Sequence, residues 1–287
     1  VIVHFSCGAA STVSALLCIL EKPKKIELVY TDPGLEHKDN KRFLRDFEKL
    51  TGHKVTILKS KKYKSPMDVF ESRNYLSGVN GAPCTSELKI KVASEYLGSR
   101  IIFEDNIFGF DPKEQKRANK YKNNNPELNV RFPLIEQSIS KDDCYYIIDS
   151  LGLDLPYMYK LGYKNANCTG CVKAESLGYW AAIREDFPKV FNWYANFERK
   201  IGAIDPNTGK PKGAAINKRY EGDKRIRVFL DEIPADFPPK RNISFTCGYS
   251  CGAQDMEVEA VKELTKEPSL IAYIKAQDIK NFLKENK

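Results

Sequence analysis

Three short apolar runs near the start, residues 1–5 (VIVHF), 26–31 (IELVYT) and 54–58 (KVTIL), constrain this chain more than anything else in it. Each is rich in β-branched residues and too short for a helix, so each reads as a buried strand. Between the first two, residues 9–20 place small side chains before Leu16, Leu17, Ile19 and Leu20, a helical pattern. Between the second and third, Asp39 is placed to cap a helix with Phe43, Leu44, Phe47 and Leu50 at helical spacing. Strand, helix, strand, helix, strand with short links is the signature of a doubly wound α/β fold with a parallel sheet. Such sheets take ligands beyond the carboxyl ends of their strands. Residues 6–11, Asp32 and whatever follows Leu58 therefore share one rim.

The turn after the first strand is built from Ser6, Cys7, Gly8, Ala9, Ala10 and Ser11, with almost no side-chain bulk. A ligand can approach the backbone there, and the first N–H groups of the following helix have no acceptor of their own. Those donors and the positive end of the helix dipole favour phosphate, sulfate or pyrophosphate. Taken alone, the same turn is also what an ordinary tight strand-to-helix connection looks like.

Downstream, residues 66–75 read as a helix and residues 78–84 (GVNGAPC) as a loop, with Thr85 as the cap of the helix SELKIKVASEYL. Residues 100–108 read as a fourth strand that ends in Gly109, Phe110 and Asp111 on the same rim. Glu114, Lys116 and Arg117 lie on a short helix, residues 130–133 form a fifth strand, and residues 141–151 form another helix. Past Leu153 the texture becomes aromatic and loop-rich. Residues 179–197 then read as a long helix broken or kinked at Pro188, residues 205–213 as a basic, turn-rich excursion, and residues 225–233 as a strand. The expected organisation is a nucleotide-binding α/β domain with a five-stranded, mostly parallel sheet over 1–153. A small cysteine-bearing module over 154–253 and a charged helical tail over 254–287 follow.

The chain has eight cysteines. Cys18 and Cys144 fall on helical faces and read as small hydrophobes. Cys84 lies in the polar stretch PCTSELK, where a helix N-terminus would lower its pKa. Cys168/Cys171 and Cys247/Cys251 form a C-x2-C and a C-x3-C pair, whose thiolates together suit Zn²⁺ or a [4Fe–4S] cluster. A formal charge of +8 suits polyanionic ligands, from nucleotides to nucleic acid. No run of about 18 apolar residues is present and nothing resembles a leader peptide, so a cytoplasmic protein without a membrane span is expected.

In order, these features make a stronger pattern than any one of them. FSCGAAS over 5–11, an acid at 32, APCTSELK over 82–89, Gly109 with Glu114 and Arg117, CTGCVKA over 168–174 and GYWAAIREDFPKVF over 178–191 resemble the phosphoadenosine-phosphosulfate (PAPS) reductase family. That family lies within the adenine nucleotide α-hydrolase superfamily, and the likeness is strongest to its phage and bacterial PAPS reductase-like branch. The resemblance implies that the loop of Ser6, Gly8 and Ser11 holds the phosphate or sulfate end of an adenylyl nucleotide and that Asp32 meets the adenosine portion. It implies a nucleotide role for Thr85, Gly109 and Glu114. It also makes Lys89 and Arg117 charge-neutralising catalytic residues. Attack of a thiolate on the sulfur of PAPS would require Cys84, Cys7 or a cysteine of the two pairs, with Cys84 ahead of Cys7. Related ATP pyrophosphatases carry iron–sulfur clusters, which favours the cluster over zinc for Cys168, Cys171, Cys247 and Cys251.

Two departures stand out. Cys7 and Ala10 replace a Gly and an Asp of the S-G-G-x-D-S loop that handles Mg²⁺-ATP, and no C-terminal E-C-G-x-H motif is present. The expected activity is therefore reduction-type chemistry on PAPS. The alternatives are adenylation from ATP, with Mg²⁺, ahead of sulfur insertion into nucleic acid, and a non-catalytic nucleotide- or nucleic-acid-binding module. An electron- or sulfur-donor protein is the partner that either enzyme would need.

Overall fold

The computed structural model of the protein describes residues 1–77, 81–202, 216–221, 224–243 and 268–286. Its first half alternates as the sequence requires. Strand β1 (Ile2–Phe5) leads into helix α1 (Ala9–Leu20), then β2 (Glu27–Thr31), α2 (Asn40–Thr51), β3 (Val55–Leu58) and α3 (Pro66–Arg73). Next come α4 (Pro83–Thr85), a π-helical stretch (Ser86–Ile90), α5 (Lys91–Leu97), α6 (Arg100–Phe103), β4 (Asn106–Ile107), α7 (Gln115–Asn124) and β5 (Val130–Arg131). Helices α8 (Pro133–Glu136), α9 (Lys141–Ser150), α10 (Tyr157–Lys160), α11 (Leu177–Asp186) and α12 (Pro188–Ile201) follow. The hairpin β6 (Asn217–Glu221) and β7 (Lys224–Val228) and helix α13 (Leu270–Glu285) complete the described chain.

The central sheet has five strands in the order β3-β2-β1-β4-β5, all parallel. Alternate side chains of each strand leave its two faces, and both faces are covered, as a parallel sheet requires. Val3, Phe5, Leu28 and Tyr30 pack with α1, α2, α9 and α13; Ile2, Val29 and Leu58 pack with α5. Helix α1 is buried nearly all round, from Ala9 to Ile19, which explains its run of small residues and leucines. The strand order reverses direction between β1 and β4. At that switch point the ends of the two strands diverge and leave a crevice.

Several local expectations change. Residues 100–108 are not one strand: Arg100–Phe103 is helical, and only Asn106–Ile107 joins the sheet. The buried Asn106 side chain donates to the carbonyls of Ile101 and Glu104 at 2.7 and 2.9 Å, folding the chain back before the strand starts. Thr85 is not a cap, because Ala82 occupies that position, Pro83 opens the helical turn, and Thr85 lies within it. The long helix over 179–197 is two helices. Phe187, preceding Pro188, is pushed to φ −138° and ψ 60°, and Pro188 starts α12.

A second core forms around α11 and α12, with Tyr179, Trp180, Ile183 and Tyr194 buried against Leu230 and Ile233. The Trp180 indole donates to Ala174 O at 2.7 Å, tying the cysteine loop before α11 to this core. Cys18 and Cys144 are buried apolar members of the sheet's core, as expected. Among the described residues no helix is long and apolar enough to cross a membrane.

Candidate functional site

The loop from Ser6 to Ser11 lies at the switch point and is held from several sides. Ser11 Oγ accepts from Ser6 N at 3.1 Å and from Ser6 Oγ at 2.9 Å, and donates to Gly8 O at 3.0 Å. Gly8 is the cap position of α1 and supplies no side-chain cap. Gly109, at the end of β4, closes the loop from the neighbouring strand. A Cβ there would lie 2.5 Å from Ser11 N and 2.6 Å from Ser11 Cα. Its smallness serves this contact between two backbones, a reason that differs from the nearness to a nucleotide expected from the sequence.

Cys7 has φ +56° and is fully buried, with its thiol donating to Asn40 O at 3.6 Å. Burial pushes its pKa well up, and the neighbouring carboxylates of Glu36 and Asp32 add to the effect. Cys7 is a packed thiol and a poor nucleophile. Ala10 leaves the loop without a carboxylate of its own.

Beyond β2 the rim carries two acids. Asp32 Oδ1 accepts from Gly34 N at 2.9 Å, while Oδ2 is 3.3 Å from Lys59 and 3.7 Å from Lys41. Glu36, which the sequence reading passed over, is the more deeply set. It accepts from the Tyr30 hydroxyl at 2.6 Å and from the Asn40 amide at 2.9 Å, and it pairs with Lys89 at 3.5 Å. Lys89 thus reaches inward from the π-helical stretch. Such stretches recur at functional sites because the extra residue re-aims side chains.

Cys84, Cys168 and Cys171, distant in sequence, line one recess with Thr85, Lys89 and Tyr194. The loop bearing the C-x2-C pair is pinned to the rim: Cys168 bridges Glu36 through the backbone, and Thr169 N donates to Leu35 O at 3.0 Å. Cys171 N donates to the Tyr179 hydroxyl at 2.9 Å. Gly170 has φ +72°, and a Cβ there would lie 2.8 Å from Val190 and 3.0 Å from Tyr194, so the turn between the cysteines admits only glycine without a shift. Thr85 is buried, and its hydroxyl has no hydrogen-bond partner among the described residues. Cys247 and Cys251 lie outside the described residues. Among the described residues no three Cys, His, Asp or Glu side chains are grouped closely enough to hold a metal ion.

The rim after β4 is a charged cluster. Asp111 and Glu114 cap the turn that precedes α7, and Glu114 meets Arg117 at 2.5 Å. The Arg117 guanidinium lies 4.0 Å above the Phe110 ring. Burial, with Glu114 adding to it, raises the pKa of Asp111, and burial lowers that of Lys141, whose ammonium donates to Asn165. Lys141, like Glu36, escaped the sequence reading. An acid four residues past Asp32 at a strand end was a usable signal for Glu36, whereas Lys141 stands in an ordinary helix start.

No protein-family model matches the chain. It is 22% identical over 213 residues to an uncharacterized protein of Methanocaldococcus jannaschii, an alignment that takes in 70% of this chain and 42% of that protein. The chain thus spans less than half the length of the curated relative it matches.

Proposed function

We propose that the protein is a PAPS reductase-like enzyme of sulfur metabolism. In this reading an adenylyl nucleotide, PAPS before ATP, is seated on the Ser6–Ser11 loop with its sulfur end toward the thiol recess. The adenine nucleotide α-hydrolase-like version of the doubly wound fold belongs to the same proposal. The observation that carries the reading is that Cys84, Cys168 and Cys171 line one recess with Lys89, whose ammonium also meets the rim carboxylate Glu36. Sulfonyl reduction needs thiols and positive charge near a phosphate cradle, and this neighbourhood supplies both kinds of group. Ala10 in place of the Asp of the Mg²⁺-ATP loop favours PAPS over ATP cleavage.

The step assigned to Cys84 balances as follows. Its thiolate attacks the sulfur of PAPS, the bond from sulfur to the bridging phosphate oxygen breaks, and adenosine 3′,5′-bisphosphate leaves with that electron pair. An external dithiol then attacks Cys84 Sγ, releases sulfite, and closes to a disulfide as it restores the Cys84 thiol; the two electrons come from that donor. Lys89 and Arg117 would offset the negative charge of the nucleotide.

The soft thiol set around the recess fits a [4Fe–4S] cluster or Zn²⁺. Cys168 and Cys171, with Cys247 and Cys251 from outside the described residues, would hold it. Such a centre supplies local positive charge and, for a cluster, electron storage.

Two variants test the assignment. Cys84→Ser should abolish sulfite formation from PAPS and dithiol while leaving the metal content, read by elemental analysis of anaerobically prepared protein, unchanged. Cys168→Ser should lower the metal content. Metal lost equally from Cys84→Ser would make Cys84 a ligand and remove it as nucleophile. Failure of the unsubstituted protein to release sulfite from PAPS would overturn the reductase reading.

A further inference from the structure

Tyr63 stands in a basic stretch of the rim, residues 59–64 (KSKKYK), and points the opposite way from its neighbours. Its ring is buried with Val69 and Leu88 beside Cys84, and its hydroxyl meets Ser72 Oγ at 3.2 Å. Ser60 Oγ accepts from Lys62 N and Tyr63 N, both at 3.2 Å, and Asp68 accepts from Lys64 N at 2.7 Å. These residues therefore form a fixed turn that buries one aromatic ring and leaves Lys59, Lys61, Lys62 and Lys64 exposed. The segment after β2 lies against the same turn. Lys41 and Lys59 share Asp32 Oδ2 at 3.7 and 3.3 Å, and Gly34 is so close to the Lys64 backbone that a Cβ would fall 1.9 Å from its carbonyl oxygen.

The positive charge of this patch is not neutralised locally. Asp32 serves two lysines, Asp39 is taken by Arg42 and Tyr157 N, and Asp68 faces the backbone of the turn. Lys38, Lys61, Lys62 and Lys64 are exposed and meet no carboxylate among the described residues. Elsewhere, Arg100, Arg131, Arg199 and Arg241 each have an acidic partner. Across the Ser6–Ser11 loop the pattern returns, with Lys113 and Lys116 exposed at the start of α7, a helix without an acidic residue. The ends of β3 and β4 that carry the two lysine groups are three strand spacings apart, about 14 Å. Between them, beside Lys38, the Tyr157 ring stacks on His37 with centroids 5.0 Å apart and 24° between planes, and is 44% exposed.

We propose that this rim is a binding surface for single-stranded nucleic acid, with successive phosphates on the two lysine groups and a base stacked on Tyr157. Two sets of ammonium groups about 14 Å apart suit a chain of phosphates, whereas a single phosphate group could meet only one set. An open aromatic face beside them serves unpaired bases, which a duplex does not offer. An acidic polypeptide would engage the lysines and leave Tyr157 without a role. The surface lies outside the thiol recess and adds a macromolecular ligand to the nucleotide chemistry proposed there. It stands independently of that chemistry, because no catalytic group takes part in it.

The test is fluorescence anisotropy on the full chain with labelled oligo(dT) and oligo(U) of about 12 nucleotides, a duplex of the same length, and poly-glutamate. The single strands should bind, and their affinity should fall as salt rises. The combined variant Lys61→Ala, Lys62→Ala, Lys64→Ala should weaken them at least about tenfold at low salt and reduce the salt slope by about 2, three phosphate contacts at about 0.7 each. Lys113→Ala with Lys116→Ala should reduce the slope by about 1.4. Lys24→Ala with Lys25→Ala, equally exposed at the opposite edge of the sheet, should change neither quantity. Tyr157→Ala should weaken binding about five- to a hundredfold with the slope unchanged, and Tyr157→Phe, which keeps the ring, should bind as the unsubstituted protein does. Absence of single-strand binding, tighter binding of the duplex or of poly-glutamate, or equal losses from the rim lysines and from Lys24 and Lys25 would each overturn the proposal. None of these outcomes depends on sulfite release from PAPS, so the two readings fail separately.

Discussion

Glu198 shows how a single buried carboxylate can set the pH response of a whole region. It lies on α12, fully buried, and its two oxygens accept from Ile216 N at 2.6 Å and Leu230 N at 2.7 Å. Those bonds favour the charged form, but burial outweighs them and raises the pKa to about 8. The native state therefore binds a proton that the unfolded chain, with an ordinary glutamate, releases near pH 4.5. The sign follows from linkage: this group's contribution is fully present below about pH 4.5, declines as pH rises, and is lost above about pH 8. Glu198→Gln removes the titration. Between pH 5 and pH 8 the unsubstituted protein should lose stability relative to the variant, by up to about 1.4 kcal/mol per pH unit. Urea unfolding at matched pH values reads the difference, and a pH-independent gap between the two would refute the assignment. Cys7 illustrates a different residue-scale point. Its left-handed φ is a conformation that glycine adopts most readily, and the burial of its thiol makes it a packing residue rather than a nucleophile.

At the scale of elements, the loop after β1 is packed directly against the end of its neighbour β4. Gly109→Ala should separate them, since the new methyl meets backbone atoms of Ala10 and Ser11 at 2.5 to 2.7 Å and no side chain can swing aside. A cost of about 2–4 kcal/mol is expected in urea unfolding, together with loss of ATP and pyrophosphate binding in calorimetry. Full retention of both would show that the two strand ends can part freely. The same pair of elements shows what sequence discloses. Periodicity disclosed β1, α1, β2, α2 and β3, because each is a continuous run of one kind. It overextended β4, because RIIFEDNIF is apolar enough for a strand, and the brake on it is the side chain of Asn106 turning back to two carbonyls. The placement of Ser6–Ser11, Asp32 and Gly109 along one rim was legible from strand ends alone. Glu36 facing Lys89, and Tyr159 facing Ala9, were not, since each depends on a contact between distant segments.

At the scale of the molecule, the last described helix belongs to the core that packs on the central sheet. Read as a charged helical tail, residues 254–287 offer Leu264, Leu270, Ile271, Ile274, Ile279 and Phe282 as an apolar set, of which Leu264 lies outside the described residues. In the described part, α13 instead buries Ala272, Ala276, Ile279 and Leu283 against α1 and α9, and leaves Leu270, Ile271 and Ile274 exposed. Ala272 and Ala276 on the inner face let the first half of the helix approach closely, while Ile279 and Leu283 fill the space beside its second half. Ser269 N donates to Asp143 at 3.1 Å, fixing the start of α13 to the start of α9. A pair of substitutions decides whether this packing holds the sheet and its helices together. Ile279→Ala opens a cavity beside α1 and should cost about 2–5 kcal/mol, whereas Ile274→Ala on the outer face should change stability by no more than about 0.5 kcal/mol. Because α1 carries the loop at its other end, the first variant should also weaken pyrophosphate binding near its unfolding midpoint, and the second should not. Equal effects of the two substitutions in urea unfolding would mean that α13 is not part of that core. A large effect at 279 alone would make the C-terminal helix a required support of the site more than two hundred residues before it.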